Sequence, residues 1–243
     1  MGTLTGLQIR NLQNAPERLT AHEVVRDILR RAILNGDLPG GTRLVQADIA
    51  AQLAVSTTPV REALRDLASD QLIRFHPHRG AVVQELDMEE GREIYEIRSA
   101  LEPLAIRRAA TRISKRELRE ASEVQARMDK ETNPGVWVED NWKFHAILQS
   151  AARSPRLTAF IKSVQDSAAL YVAQEVHIDP DTIKNGNADH RAILAALRAG
   201  DADGAVDVLC RHLDTALQAI VNAAAGADPR AASRHDGPGA VTR

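Results

Sequence analysis

The sequence predicts a mainly α protein in two parts: an N-terminal module of three helices closed by a β-hairpin, then an all-α helical bundle. Three observations predict it. At 243 residues the chain is too long for one small module. Apolar residues recur at helical spacing through most of the length from Val24 onward. Short apolar stretches bounded by turn residues occur around 72–83, where a hairpin is expected.

Each element follows in order. Residues 1–17 have no sustained periodicity and read as a flexible arm. Val24, Val25, Ile28, Leu29, Ala32 and Ile33 form one helical face, stopped by Asn35-Gly36. Leu38-Pro39-Gly40-Gly41 is a turn, and Leu44 begins a second short helical pattern through Ile49, Ala50 and Leu53. A third helix runs from about Thr58 to Asp70 with Val60, Ala63, Leu64 and Leu67 on its apolar side. Ser56, Thr57 or Thr58 can cap it, and Pro59 suits a first turn. Leu72–Phe75 and Ala81–Val83 read as strands joined through Pro77 and Gly80. That order is the order of a winged helix-turn-helix, over 18–85. From 88 to 224 six helical segments follow, near 88–110, 114–131, 136–152, 155–175, 181–199 and 202–224. The Ala-, Gly-, Pro- and Arg-rich tail at 225–243 is expected to be disordered.

Composition narrows the function. Apolar residues at 44% and charged residues at 26% are those of a globular protein and exclude disorder over most of the chain. Aromatics at 3% argue against base-stacking platforms. The single cysteine, Cys210, excludes an internal disulfide framework and fits a reducing compartment. No apolar run approaches the roughly 18 residues of a membrane span, and the first twenty residues lack a signal-peptide core. A cytoplasmic protein without a membrane partner is expected. Residues 18–83 carry nine Arg against seven acidic residues, whereas 84–224 carry eighteen basic and twenty-three acidic. A basic module joined to an acidic one fits nucleic-acid binding attached to something else.

The third helix gives that partner a surface. With its apolar residues inward, Arg61 and Arg65 share an outward side, and Thr57 and Thr58 stand at its N-terminal end. Such a helix can enter a major groove; an exposed helix of solvated charges, with Asp66 pairing Arg61, is the alternative. The wording of the segment adds to this. Val55-Ser56-Thr57-Thr58-Pro59-Val60-Arg61-Glu62-Ala63-Leu64-Arg65-Asp66-Leu67 resembles the signature of GntR-family transcriptional regulators. Gly36–Leu44 looks like the preceding turn, and His78-Arg79-Gly80-Ala81-Val82-Val83 looks like the wing. The resemblance implies that Arg61 contacts base or phosphate, helped by Arg65, and that Ser56, Thr57 and Thr58 lie at the DNA backbone. It also implies that Arg79 and Gly80 bring the wing to the minor groove of a short palindromic operator bound by a homodimer. Thr57 stands where many members carry Arg, and Ala54 and Gln71 stand where glycine is common, so Gln71 is expected in a left-handed conformation.

The bundle has a polar centre. Asn141 and His145 are four apart on one helix; His190 shares a face with Ile193, Leu194 and Leu197, and His212 with Leu209, Leu213 and Ala216. Three histidines then point from three helices toward one core. A buried imidazole needs a partner, which is a backbone carbonyl for each or a metal ion common to all. The six helices resemble the FCD effector domain of the FadR-type branch, in its shorter VanR-like form. That resemblance implies a divalent ion, zinc or nickel, held by an aspartate four residues before the first histidine and by the histidines. Asn141 occupies the aspartate position. Asp140 is adjacent but turned about 140° from His145 by helix geometry. Arg98 lies on the stripe of Ile94, Ile97, Leu101 and Ala105, where a guanidinium needs an anion. Glu102, at i+4, is one answer. The resemblance implies another, a small organic acid held by Arg98 beside the metal, with Tyr95 one turn earlier in the same pocket. A ligand-responsive transcriptional regulator, most often a repressor, is expected. A metal-dependent hydrolase and a regulator with a purely structural metal are the alternatives.

Overall fold

The computed structural model describes residues 20–179 and 181–227, so the expected arm at 1–17 and the tail beyond 227 lie outside the described residues. Nine helices and three short strands are described in the order α1 (Ala21–Leu34), β1 (Arg43–Leu44), α2 (Gln46–Gln52), α3 (Thr57–Ser69), β2 (Ile73–His76), β3 (Gly80–Val83), α4 (Met88–Ala110), α5 (Lys115–Met128), α6 (Pro134–Ala151), α7 (Pro155–Ile178), α8 (Asp181–Ala199) and α9 (Ala202–Ala227). The mainly α class and the three-helix-plus-hairpin module are as expected.

Local chemistry sets the helix starts. Thr20 and Glu23 form a reciprocal capping box on α1, as Ser114 and Glu117 do on α5. Asp87 accepts from the amides of Glu89 and Glu90 at the start of α4, and Asn133 accepts from Val136 on α6. Ser56 is the N-cap of α3 by position but makes no side-chain cap bond.

One expectation is corrected. Leu44 does not begin a helix: Arg43 and Leu44 pair antiparallel with Val82 and Ala81, so the hairpin becomes a three-stranded sheet ordered β1-β3-β2. Val45 is extended and α2 starts only at Gln46. Leu44 is buried in the same core as Ile49 and Leu53, and helical spacing alone does not distinguish a strand residue reaching that core. Phe75 pairs with Ala81 and His76 with Gly80 on the other edge, one residue later than the expected strand.

The core of the N-terminal module is Val25, Leu29, Ile33, Leu44, Val60, Leu64, Leu67 and Val83, all nearly inaccessible. It meets the helical domain along α6 and α7. The Gly135 amide donates to Asn35 Oδ1 at 2.8 Å, and Arg31 pairs with Glu139 at 3.2 Å. Ser167 Oγ donates to Gln71 Oε1 at 2.7 Å, and Tyr171 OH donates to the Asp87 carbonyl at 2.7 Å. His177 lies beside Gly36, where a Cβ would come within 3.1 Å of its Nε2.

Ala54 and Gln71 adopt φ of 52° and 57°, the left-handed region anticipated for Gln71. Ala54 is exposed at the turn into α3. An L-residue there costs about 1–2 kcal/mol, offset in part by the greater unfolded-state freedom of glycine. Ala54→Gly is expected to stabilise the protein by about 0.5–1 kcal/mol, read as a higher midpoint in thermal unfolding.

Candidate functional site

The first surface is α3. Ser56, Thr57 and Thr58 are exposed at its N-terminal end, and Arg61 and Arg65 are exposed one turn apart, opposite the fully buried Val60, Ala63, Leu64 and Leu67. Asp66, the expected alternative partner of Arg61, is taken by His22 at 2.7 Å; Asp70 is taken by Arg30 at 2.8 Å. Among the described residues Arg61, Arg65 and Arg79 form no ion pair. Arg79 occupies the turn between β2 and β3, and Gly80 has φ +72° with nothing within 4 Å of a Cβ placed there. Hydroxyls and cations around a helix N-terminus suit phosphate oxygens and guanine edges.

The second site lies within the helical domain. His145 on α6, His190 on α8 and His212 on α9 each offer a ring nitrogen, and these three atoms lie within 4.8 Å of one another. Their hydrogen bonds decide which nitrogens face inward. Gln125 Nε2 donates to Asp129 at 3.0 Å, which orients the amide and leaves its Oε1 to accept from His190 Nδ1 at 3.1 Å. Asp189 Oδ2 accepts from His212 Nδ1 at 3.3 Å. In both rings the proton is on Nδ1 and the Nε2 lone pair is free for the centre. Burial, and then the neighbouring histidines, pushes His145 and His190 well below the usual imidazole range. Nε2 of His145 and of His190, and Oδ1 of Asn141, are buried with no hydrogen-bond partner. Inward-facing lone pairs are what a divalent cation requires, so these residues fit one. Asp140 is engaged elsewhere, gripped by Arg127 at 3.0 and 3.2 Å and by Lys143 at 3.0 Å.

A cavity of about 720 Å³ opens beside this cluster, with His212, Asn141, Arg98 and Tyr95 in its wall. The stripe that carries Arg98 is not quite the expected one. Ile97 is exposed and Leu101 half-buried, while Tyr95, Arg98, Glu102 and Ala105 face inward. Arg98 Nε donates to Glu102 Oε1 at 2.7 Å, with both side chains at most 3% exposed. Its guanidinium lies 4.5 Å from the Tyr95 ring centroid and 5.3 Å from that of Trp142. Burial works to lower the Arg98 pKa, yet the adjacent Glu102 carboxylate leaves it raised. Nη1 still has no partner. The pair therefore satisfies one edge of the guanidinium and leaves a donor beside the cavity.

Residues 21–83 match the profile of the bacterial regulatory proteins of the gntR family, and residues 93–215 match the FCD domain. The chain is 32% identical over 213 residues to a Paenarthrobacter nicotinovorans protein named "Probable D-xylose utilization operon transcriptional repressor", covering 87% of this chain and 93% of that protein. The chain belongs to the GntR family, with an FCD domain. It is 28% identical to the HTH-type transcriptional regulator McbR of Escherichia coli K12, over 77% of this chain and 85% of McbR. Among solved structures, a GntR regulator from Rhodococcus sp. RHA1 superposes with a TM-score of 0.62 at 29% identity, covering 83% of this chain and 98% of that one. E. coli McbR shares the fold with a TM-score of 0.68 at 24% identity, covering 85% and 99%. The protein is thus a transcriptional regulator of the GntR/FCD type and not an enzyme, which removes the hydrolase alternative. Among its described residues no helix is long and apolar enough to cross a membrane.

In this GntR regulator the gntR match ends with β3, and the FCD match takes in all three histidines. Sequence reasoning missed the residues that orient them. Gln125 stands among Ala121, Val124 and Met128 on the buried side of α5, a polar residue in an apolar stripe that could have been noticed. Asp189 carried no such signal, because its partner is twenty-three residues away. Glu175, an acid between the buried Val172 and Val176, was also legible and unused. Replacing Glu102 with Leu strands a buried guanidinium and is expected to cost about 3–5 kcal/mol, measured by denaturant unfolding of the full chain.

Proposed function

We propose that this regulator is a ligand-responsive repressor whose helical domain binds one divalent ion, zinc or nickel, together with a small organic acid. Asn141, His145, His190 and His212 would hold the ion, which supplies positive charge and an open coordination position for a carboxylate oxygen. Arg98 and Tyr95 would hold the rest of the acid. The observation that carries this reading is the set of buried, unpartnered atoms beside one cavity: Nε2 of His145 and His190, Oδ1 of Asn141 and Nη1 of Arg98. A core of merely structural histidines has no reason to leave them all unpaired. The repressor direction rests on the name of the P. nicotinovorans relative.

On DNA, Arg61 and Arg65 read the major groove, Ser56, Thr57 and Thr58 position the helix on phosphates, and Arg79 and Gly80 carry the wing to the minor groove. The protein binds a short palindrome as a homodimer in the cytoplasm. Ile97 and Leu104 on α4, with Phe160 on α7 at 68% exposure, supply an apolar surface for the second copy. Helix α7 connects the two functions, since Tyr171 and Gln174 line the cavity while Ser167 and Tyr171 are bonded to the end of α3 and to the linker.

Elemental analysis of the purified full chain should find about one divalent ion per chain. His190→Ala should lose it, and Asn141→Asp should bind it more tightly because a carboxylate replaces a neutral amide. A metal-free preparation that responds equally to the same acids would remove the coordination mechanism, and a metal-dependent melting point that no acid shifts would favour a structural ion. Arg61→Ala should weaken binding to promoter DNA by about 1–3 kcal/mol without changing the melting point, as read by gel-shift titration at fixed salt.

A further inference from the structure

Two buried atoms near each other lack partners and differ in character. Arg98 Nη1 is a donor left over from the Glu102 pair, and Glu175 Oε1 on α7 is a carboxyl oxygen with nothing bonded to it. Both residues line the cavity. They are close enough for the guanidinium to influence the Glu175 carboxyl, yet no hydrogen bond joins them. A bound molecule that satisfies both needs an acceptor for the arginine and, next to it, a group that exchanges a hydrogen bond with a carboxyl.

We propose that Glu175 reads a hydroxyl on a carboxylic acid whose carboxylate is held by Arg98, so that the cavity selects hydroxy acids over acids of the same length without the hydroxyl. This rests on the reading of the cavity as an acid-binding site. The electrostatics favour a neutral Glu175. Burial pushes its carboxyl up to about 8, more than Arg98 and Tyr95 pull it down. Near pH 7 it is mostly an O–H donor that does not repel an anion at Arg98. The charged or titratable groups around it are consistent with that state. From α4 come Tyr95 and the Arg98–Glu102 pair; from α8 and α9 come Asp189 and His212, paired with each other; α6 presents neutral Asn141 and Trp137; Asp179 follows just past the end of α7 as its C-cap. A cavity of about 720 Å³ also has room for an acid of six or more carbons.

The test uses full-length, metal-loaded protein and calorimetric titration with three matched pairs: lactate with propionate, 3-hydroxybutyrate with butyrate, and gluconate with hexanoate. At least one hydroxy acid should bind tenfold or more tightly than its partner. Glu175→Leu should reduce that difference below threefold, whereas Glu175→Gln, which mimics a neutral carboxyl, should keep it. Wild-type affinity for that hydroxy acid should fall up to tenfold for each pH unit above about 8 as Glu175 ionises, and the Gln variant should not show this fall. A preference that survives Glu175→Leu, or an equal pH profile in wild type and Gln variant, overturns the proposal; the second comparison stands even where the Leu variant does not fold. Acids that bind through Arg98 with no hydroxyl preference overturn the role of Glu175 alone. If no acid binds, or Arg98→Ala leaves binding unchanged, the reading of the cavity fails and this proposal with it.

Discussion

A buried imidazole has two ring nitrogens to satisfy, and the helical domain is arranged around three histidines, two of them buried and His212 partly so. Gln125 and Asp189 accept the Nδ1 protons of His190 and His212, so the acceptor nitrogens of both rings face a common point. The support reaches further out: Asp129 fixes the Gln125 amide and is itself held by Arg191, while Arg211 reaches Asp189 at 3.5 Å. Residues from α5, α8 and α9 therefore have to pack in one arrangement for the polar centre to be satisfied on its outer side. On its inner side Nε2 of His145 and of His190 have no partner, which an ordinary buried polar network would not leave.

The same economy governs the buried arginine. Arg98 has five donors, and Glu102 takes one edge of the fork. Gln165 also donates to the same Oε1 of Glu102 at 3.3 Å while Oε2 has no partner, so the pair is a single contact and does not engage the whole guanidinium. Pro103 follows directly and removes the amide that would bond the Ser99 carbonyl, interrupting the α4 ladder beside the pair. A full, bidentate pairing would have closed the charge off from the cavity. The observed pairing stabilises the guanidinium enough to bury it while leaving a donor on the side where a ligand would arrive.

Helix α7 makes the two domains one mechanical object. Tyr171 fills the space above Gly91, where even a Cβ would meet its ring at 2.5 Å, and bonds the N-cap carbonyl of α4. Ser167 bonds Gln71, whose left-handed backbone ends the turn after α3. The side chain at that strained position accepts a hydrogen bond from Ser167 that a glycine could not. Anything that shifts α7 at the cavity is felt just past the C-terminal end of α3 and at Asp87, the N-cap of α4.

Much of the fold was legible from local pattern. The helices near 88–110 and 181–199 were placed to the residue, and the stripe Val60, Ala63, Leu64 and Leu67 put Arg61 and Arg65 on the outside, because helical periodicity is a property of neighbouring residues. Turns, such as Asn35 with Gly36, are equally local. The strand at Arg43–Leu44 was not legible, because its partner lies nearly forty residues away in β3. Nor were the contacts of Gln125 and Asp189 with their histidines, the half-engaged fork of Arg98, or the joint between Ser167 and Gln71. The sequence by itself determined the buried face of α3 and of most helices, though on α4 Ile97 is exposed and Tyr95 and Glu102 are buried. Which buried polar groups meet, and which of their atoms stay unpaired, only the tertiary structure decided, since that depends on distances between helices far apart in the chain, and no periodicity encodes those.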